Sequence, residues 1–116
     1  PGNSFFGAGV YKPPTDILNQ IRQEIDYNAE AWLELVQDQE ILKHFESIKS
    51  SDALKRPPKG YDKTHPLLDW IKKKDYYLQQ FLTDDELLAE DLVETLLEKF
   101  RVAAPFVQFL NQVHSG

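Results

Sequence analysis

Only two segments of the sequence have the composition of a regular β-strand, and a long run of helical patterns separates them. Ser4–Tyr11 is aromatic and β-branched but contains two glycines, and Asp75–Thr83 is rich in tyrosine and phenylalanine. Two consecutive prolines end the first segment, because proline cannot donate a ladder hydrogen bond. The polar residues 46–54 are the candidate for a short third strand. The sequence therefore predicts a helix-dominated α+β fold with a two- to three-stranded antiparallel sheet packed against several helices.

Apolar residues recur at helical spacing through much of the chain between these strands. Thr15 is predicted to cap the first helix and Asn28 the second. A third short helix is predicted over Gln39–Phe45, and Thr64 is predicted to cap a helical turn that reaches Ile71. The residues expected to face the core in the first three helices are Ile17, Leu18, Ile21, Ile25, Trp32, Leu33, Leu35, Val36, Ile41, Leu42 and Phe45.

The end of the sequence predicts one helix or a pair of helices that contains a proline. A capping-box pattern at Thr83–Glu86 opens this region, which extends to Val113. Pro105 is expected to bend the helix axis, because it removes a backbone hydrogen bond. The apolar face changes direction after the proline. Either the bend brings both faces onto one core, or the Phe106/Phe109 face is left for a second partner.

Length and composition limit the classes of protein to which this chain can belong. Its 116 residues form one domain at most. A net charge of −6 argues against general nucleic-acid binding, and no apolar run approaches the ~20 residues of a membrane span. The chain has no cysteine, and therefore no disulfide, thiolate nucleophile or Cys-ligated metal. We expect a cytoplasmic protein that contacts neither nucleic acid nor membrane and uses no cofactor and no metal.

The chain contains no methionine and begins with Pro1-Gly2-Asn3. We therefore expect 1–116 to be a single domain that is trimmed at its start or is a piece of a longer protein. Because a two-stranded sheet is marginal by itself, we expect a missing segment, or a second copy, to cover the sheet edge and the Phe106/Phe109 face.

Positive charge is concentrated in one part of this acidic chain. Residues 55–74 carry seven cations and two acids, whereas the remainder carries six cations and seventeen acids. The sequence LKRPPKGYDKTHP lies at the start of this region, and its two prolines restrict the backbone beside Arg56. Gly60 permits a tight turn, as backbone anion sites require. Three interpretations remain open: a solvated loop that pairs with the protein's own acids, a site for an anionic ligand, or a docking surface for an acidic partner.

His65 is the candidate catalytic residue of this region. Asp62 precedes it by three positions, and a carboxylate that orients an imidazole is the usual arrangement of a general base. The alternative is that His65, directly before Pro66, braces the turn. The nearby aromatic residues are explained by core packing more simply than by stacking on nucleic acid.

The segment KRPPKGYDKTHP, residues 55–66, closely resembles the signature KRPPKGYDKDHP of a family of conserved hypothetical proteins, domain of unknown function 2461. GAGVYKP, QIRQEID and FVQFLN are also similar to that family, so the resemblance covers essentially the whole chain. Thr64 departs from the usual Asp of the signature. The resemblance implies that family members are about twice as long and that 1–116 is the C-terminal portion of such a protein. The missing N-terminal half would carry a further polar signature, and the resemblance implies no established activity. The positions that it transfers as possible site residues are Arg22, Lys55, Arg56, Lys59, Gly60, Tyr61, Asp62 and His65.

Two functional hypotheses follow. The first is a binding module whose basic loop holds an anionic small molecule or an acidic protein partner through Lys55, Arg56, Lys59, Gly60 and Tyr61, with Arg22. The second is part of an enzyme that acts on a phosphorylated or carboxylated substrate, with His65 and Asp62 as catalytic candidates. Convergence of these residues on one hollow favours the enzyme, and exposed cations favour docking.

Overall fold

The computed structural model describes residues 4–115, with side chains through residue 112. These residues form six helices and two strands, which confirms the predicted helix-dominated α+β fold. The elements in chain order are β1 Phe5–Val10, α1 Thr15–Tyr27, α2 Ala29–Val36, α3 Gln39–Phe45, α4 Leu68–Ile71, β2 Tyr76–Phe81, α5 Asp84–Leu88 and α6 Leu92–Ser115. In this part of the chain, no helix has the length and apolar character needed to cross a bilayer.

The two strands form one antiparallel sheet, and most of the helical part of the chain lies between them in sequence. Their register runs from Phe5 opposite Phe81 to Val10 opposite Tyr76. The predicted third strand is reduced to two isolated bridges, in which Lys49 pairs with Tyr77 and Ala53 with Lys73. Within residues 4–115, no strand pairs with the other edge of β1. A partner segment along that edge therefore stays a prediction.

The core lies between the inner face of the sheet and the helices, with Trp32 near its centre. The Trp32 side chain is fully buried. Its ring contacts those of Trp70, Tyr76 and Phe109, with centroid distances of 5.4, 5.7 and 5.3 Å. Aromatic rings at such distances stabilise a core beyond the area that they bury. The helices and the second strand are thus joined by one aromatic cluster.

The Phe106/Phe109 face belongs to this core, so the prediction that it awaits a second partner is wrong. Phe106 and Phe109 are buried, and α6 continues through Pro105 without ending. The proline itself is exposed, so the carbonyl group that loses its usual donor is on the solvent side of the helix. The face after Pro105 thus joins the core, whereas Val93, Leu97 and Phe100 of the face before it are exposed, so the two faces do not fully share one core.

Several helix starts differ from the predictions because other groups supply the caps. Pro14 precedes α1, and Thr15 is the first helical residue. The Asn28 side chain donates to Glu24 instead of capping α2. The Asp38 carboxylate, which was not predicted, caps α3 by accepting the Ile41 N–H at 2.9 Å.

The remaining predictions for the helices have mixed outcomes. The capping box of Thr83 and Glu86 is confirmed at the start of α5. Thr64 does not cap α4, which Leu67 precedes instead. Leu33 and Leu42 were expected in the core, but both are exposed. Each lies at the border of its helix's apolar stripe, where a small rotation decides between core and solvent.

Candidate functional site

The basic loop, residues 55–66, has a defined backbone conformation. The Tyr61 N–H donates to the Pro58 carbonyl at 3.1 Å, and the His65 N–H donates to the Asp62 carbonyl at 3.0 Å. Gly60 has a φ of 94°, which a residue with a Cβ rarely adopts. The loop therefore consists of two successive turns, and its proline and glycine residues account for the first of them.

His65 is held by hydrogen bonds at both ring nitrogens. Its Nε2 lies 2.6 Å from Asp26 Oδ1, at the end of α1. Its Nδ1 accepts the Leu67 N–H at 3.0 Å, so in the neutral imidazole the ring proton is on Nε2 and is donated to Asp26. The carboxylate that orients His65 is thus Asp26, because Asp62 instead accepts the Thr64 N–H at 3.1 Å.

Tyr61 packs against this pair. Its ring lies edge-on to the imidazole of His65, with centroids 6.1 Å apart. Partial burial raises the pKa of the Tyr61 phenol, and the nearby Asp26 carboxylate raises it further, against an opposing effect of Arg22. The phenol therefore stays protonated and is available as a hydrogen-bond donor at neutral pH.

Arg22 lies in the interior and supports the segment that follows the loop. Only 4% of its surface is exposed. Its Nε donates to the Ile71 carbonyl at 2.7 Å and its Nη2 to the Lys73 carbonyl at 3.1 Å. The Ile71 carbonyl ends α4, where a cation is also favoured by the helix dipole, and the Lys73 carbonyl lies two residues beyond that end. Its Nη1 donates to Asn19 Oδ1 at 3.3 Å, so among the predicted site residues Arg22 is a positioning group whose donors are bonded within the fold.

The cations of the basic loop point outward. Lys55, Arg56, Lys59 and Lys63 are all exposed, and none forms an ion pair or a side-chain hydrogen bond with the residues that the structure describes. Lys74 and Arg101, outside the loop, do pair with acids. Three surface hollows of about 570, 390 and 470 Å³ have walls made by other residues. The structure thus brings Asp26, Tyr61 and His65 together and leaves the loop cations in solvent.

A second polar cluster, which the sequence did not indicate, surrounds Asp75. This fully buried carboxylate accepts the Ser51 N–H at 2.7 Å, the Ser51 hydroxyl at 2.6 Å and the Ser50 hydroxyl at 3.0 Å. The Lys12 N–H donates to it at 3.3 Å. Burial raises the pKa of Asp75, but the hydrogen bonds from Ser51 and its neighbours outweigh this effect and lower it. The cluster connects the segment after β1, residues 50–51 and the residue directly before β2.

One group of side chains has ligand types that suit a metal ion. Ligand atoms of Glu40, His44 and Glu98 lie within 4.8 Å of one another. However, the Arg101 guanidinium contacts both carboxylates, and it lies 3.3 Å from Glu40 Oε2. A metal ion would have to displace this cation, so the group is better described as an ion-pair network between α3 and α6.

The fold and the loop define a small α+β domain that displays a hydrogen-bonded, positively charged turn. Comparison with known families gives a match to the model described as conserved hypothetical protein (DUF2461), over residues 1–109. The chain belongs to this family, as the resemblance of its basic loop predicted. Neither the curated proteins nor the solved structures contain a match to it.

Proposed function

We propose that this chain is a binding module in which the basic loop holds a phosphate or carboxylate group of an anionic ligand or acidic partner. The observation that carries the proposal is that Lys55, Arg56, Lys59 and Lys63 have no ion-pair or side-chain hydrogen-bond partner among the side chains of residues 4–112. Although the chain has six more acids than cations, no described acid pairs with these four side chains. If the loop served only to neutralise the protein's own acids, ion pairs would be expected there.

The conformation of the loop supports this role. Pro57 and Pro58 fix their own φ angles, and the turns at Gly60 and Asp62 fix the backbone that follows. The Asp26–His65 pair attaches the end of the loop to α1. A cation on a backbone that is already ordered loses less conformational entropy when it binds an anion. Arg56 can also bind a phosphate or carboxylate group in a bidentate manner.

The alternative is an enzyme in which His65 transfers a proton. The close approach of Asp26 to His65 favours this hypothesis, since a carboxylate commonly orients a catalytic imidazole. However, Nδ1 already accepts the Leu67 N–H, so neither ring nitrogen is available to a substrate without breaking a hydrogen bond. The geometry therefore supports binding better than proton transfer.

Binding of inorganic pyrophosphate and of a glutamate-rich peptide, followed by amide chemical shifts, tests the proposal. We expect the shifts to centre on residues 55–66 and the affinity to fall as salt is added. Arg56→Gln/Lys59→Gln should bind at least about tenfold more weakly, because each charge-assisted hydrogen bond contributes about 1.5–3 kcal/mol.

Lys43→Gln/Lys74→Gln is the matched control, because it removes the same charge from exposed lysines outside the loop. It should retain nearly the full affinity. Equal weakening by the two double variants would mean that only the overall charge matters, and the proposal would then be wrong.

A further inference from the structure

The segment directly before the basic loop pairs with a second cationic segment, residues 72–74. The Leu54 N–H donates to the Lys72 carbonyl at 2.7 Å, and the Lys74 N–H donates to the Asp52 carbonyl at 2.9 Å. An antiparallel bridge lies between these two bonds. The backbone thus holds three consecutive lysines beside the start of the loop, although they follow the loop by several positions in the sequence.

Two of these three lysines already have a contact within the protein. Lys74 Nζ lies 3.3 Å from Asp52 Oδ2, and Lys73 Nζ lies 6.0 Å from the centroid of the Trp70 ring. An ion pair and a cation–π contact each occupy the charged group in part. These two ammonium groups are therefore less available to a ligand.

Lys72 is half-buried, but its charged end has no such contact. Its ammonium forms no ion pair and no hydrogen bond with residues 4–112, although Asp69 lies three positions before it. In that range Trp32 Nε1 is the one buried polar side-chain atom that lacks a partner, so the Lys72 Nζ must be open to solvent. Lysine commonly packs its apolar stem and keeps its ammonium in water in this way. The Lys72 cation is thus free to bind a ligand.

Chain geometry limits the distance between Lys72 and the first cations of the loop. The hydrogen bond between Leu54 and Lys72 keeps the Cα atoms of these two residues within about 7 Å. Two extended residues add at most about 7 Å, so the Cα of Arg56 lies within about 14 Å of that of Lys72. The Cα of Lys55 lies within about 11 Å of it by the same reasoning. Lys72 therefore belongs to the same stretch of surface as Lys55 and Arg56.

The charge of this surface suits a ligand with more than one phosphate group. Together with Lys72, the four loop cations give five positive side chains that have no ion-pair partner among the side chains of residues 4–112. One phosphate group carries at most about two negative charges at neutral pH, so it would leave most of these cations unneutralised. Outside residues 55–74 the chain has six cations and seventeen acids, so a long polyanion would be repelled by the rest of the protein. A short run of adjacent phosphate groups meets both conditions.

We propose that Lys72 extends the anion site of the basic loop, and that the ligand is a compact molecule with three or more adjacent phosphate groups. The inference rests on the function proposed for the loop, to which it adds a residue and a ligand class. Arg56 can bind one phosphate in a bidentate manner, while Lys72 meets a neighbouring phosphate as a compact charge. Carboxylates on one side of an extended peptide lie about 7 Å apart, so a peptide brings fewer charges to this surface.

Isothermal titration calorimetry of the whole chain with inorganic pyrophosphate and with tripolyphosphate tests the proposal. The parent chain should bind tripolyphosphate at least about threefold more tightly than pyrophosphate, because the longer ligand reaches one more cation. Lys72→Gln should weaken tripolyphosphate binding at least about fivefold, since a charge-assisted hydrogen bond is lost. The same variant should weaken pyrophosphate binding less than about twofold, because the loop cations hold the shorter ligand.

Lys74→Gln is the matched control, because it removes the same charge two positions away from a lysine that Asp52 already pairs. It should change either affinity less than about twofold, and circular dichroism should show that both variants remain folded. Equal weakening by the two variants, or equal affinity of the parent chain for the two ligands, would overturn the inference and leave the proposed function of the loop standing. Absence of binding by both ligands would overturn the proposed function, and this inference with it.

Discussion

The imidazole of His65 and the carboxylate of Asp26 lie 2.6 Å apart, although 39 positions separate them in the sequence. The pair joins the end of the basic loop to the last turn of α1. Because Leu67 donates to the other ring nitrogen, the imidazole also fixes the backbone just before α4. His65 thus connects α1, the end of the basic loop and the start of α4. These contacts give the residue a structural role in the turn before Pro66.

Replacing Asp26 with Asn should speed amide hydrogen exchange in the basic loop. It should change the free energy of unfolding of the protein only slightly. The Asp26 side chain is 49% exposed, so the pair contributes at most about 1 kcal/mol to the free energy of unfolding. Hydrogen exchange of the backbone amides at Tyr61 and His65 should become faster, since their turns lose an anchor. Glu34→Gln removes an equal charge from the exposed side of α2. It should change neither the exchange rates of these amides nor the free energy of unfolding. Equal exchange rates in Asp26→Asn and the parent chain would show that the turns are stable by themselves.

Asp75→Asn should lower the free energy of unfolding at neutral pH. It should also make the free energy of unfolding less dependent on pH. The folded chain holds the pKa of Asp75 below its ordinary value, so the carboxylate stabilises the fold above the unfolded pKa of about 3.9. This stabilisation is lost as pH falls through the lower, folded pKa. At pH 7 the variant should lose about 1.5–3 kcal/mol, because an amide can neither accept all four donors nor carry the charge.

Urea unfolding at pH 7 and at pH 3 measures this effect. The two chains should differ most at pH 7 and converge in acid. Asp69→Asn, at an exposed position of α4, is the matched control and should follow the parent chain. A difference for Asp75→Asn that stays constant with pH would contradict an ionised, hydrogen-bonded carboxylate.

Alanine at Gly9 should be far more destabilising than alanine at Gly60. Both residues have positive φ, which costs about 1–3 kcal/mol for a residue with a Cβ. At Gly60 the new Cβ meets no atom within 4 Å, whereas at Gly9 it would lie 2.4 Å from the Tyr76 carbonyl oxygen. Gly9→Ala should therefore cost more than about 3 kcal/mol, because the overpacking adds to the strain.

Thermal or urea unfolding of the two variants distinguishes these costs. Gly7→Ala serves as the strand control, since its Cβ approaches the exposed Phe5 ring at 3.2 Å and its backbone φ is not in the positive range. It should cost less than about 1 kcal/mol. A Gly9→Ala variant as stable as Gly60→Ala would show that the β1 backbone can move away from Tyr76.

The sequence was most informative where the governing interactions are local. Helical spacing predicted the bounds of α3, and the capping box at Thr83 and Glu86 was predicted from a pattern of four residues. The loop signature of residues 55–66 also identified the family. In each case the residues that determine the structure are neighbours in the chain.

Long-range contacts account for what the sequence did not predict. Asp62 was the candidate partner of His65 because it is close in sequence, but packing of the loop on α1 brings Asp26 there instead. The Asp75 cluster depends on residues that lie 24, 25 and 63 positions away. Whether the Phe106 side chain faces core or solvent likewise depends on the position of Trp32, which no local pattern specifies.

The pairing of β1 with β2 also has a consequence for synthesis of the protein. The ribosome releases the aromatic residues of β1 well before it makes Tyr76–Phe81, because α1 to α4 are encoded between them. At about 5–20 residues per second, the nascent chain carries an unpaired, apolar strand for several seconds. During that interval the Phe5-Phe6 dipeptide is the segment that a chaperone would shield.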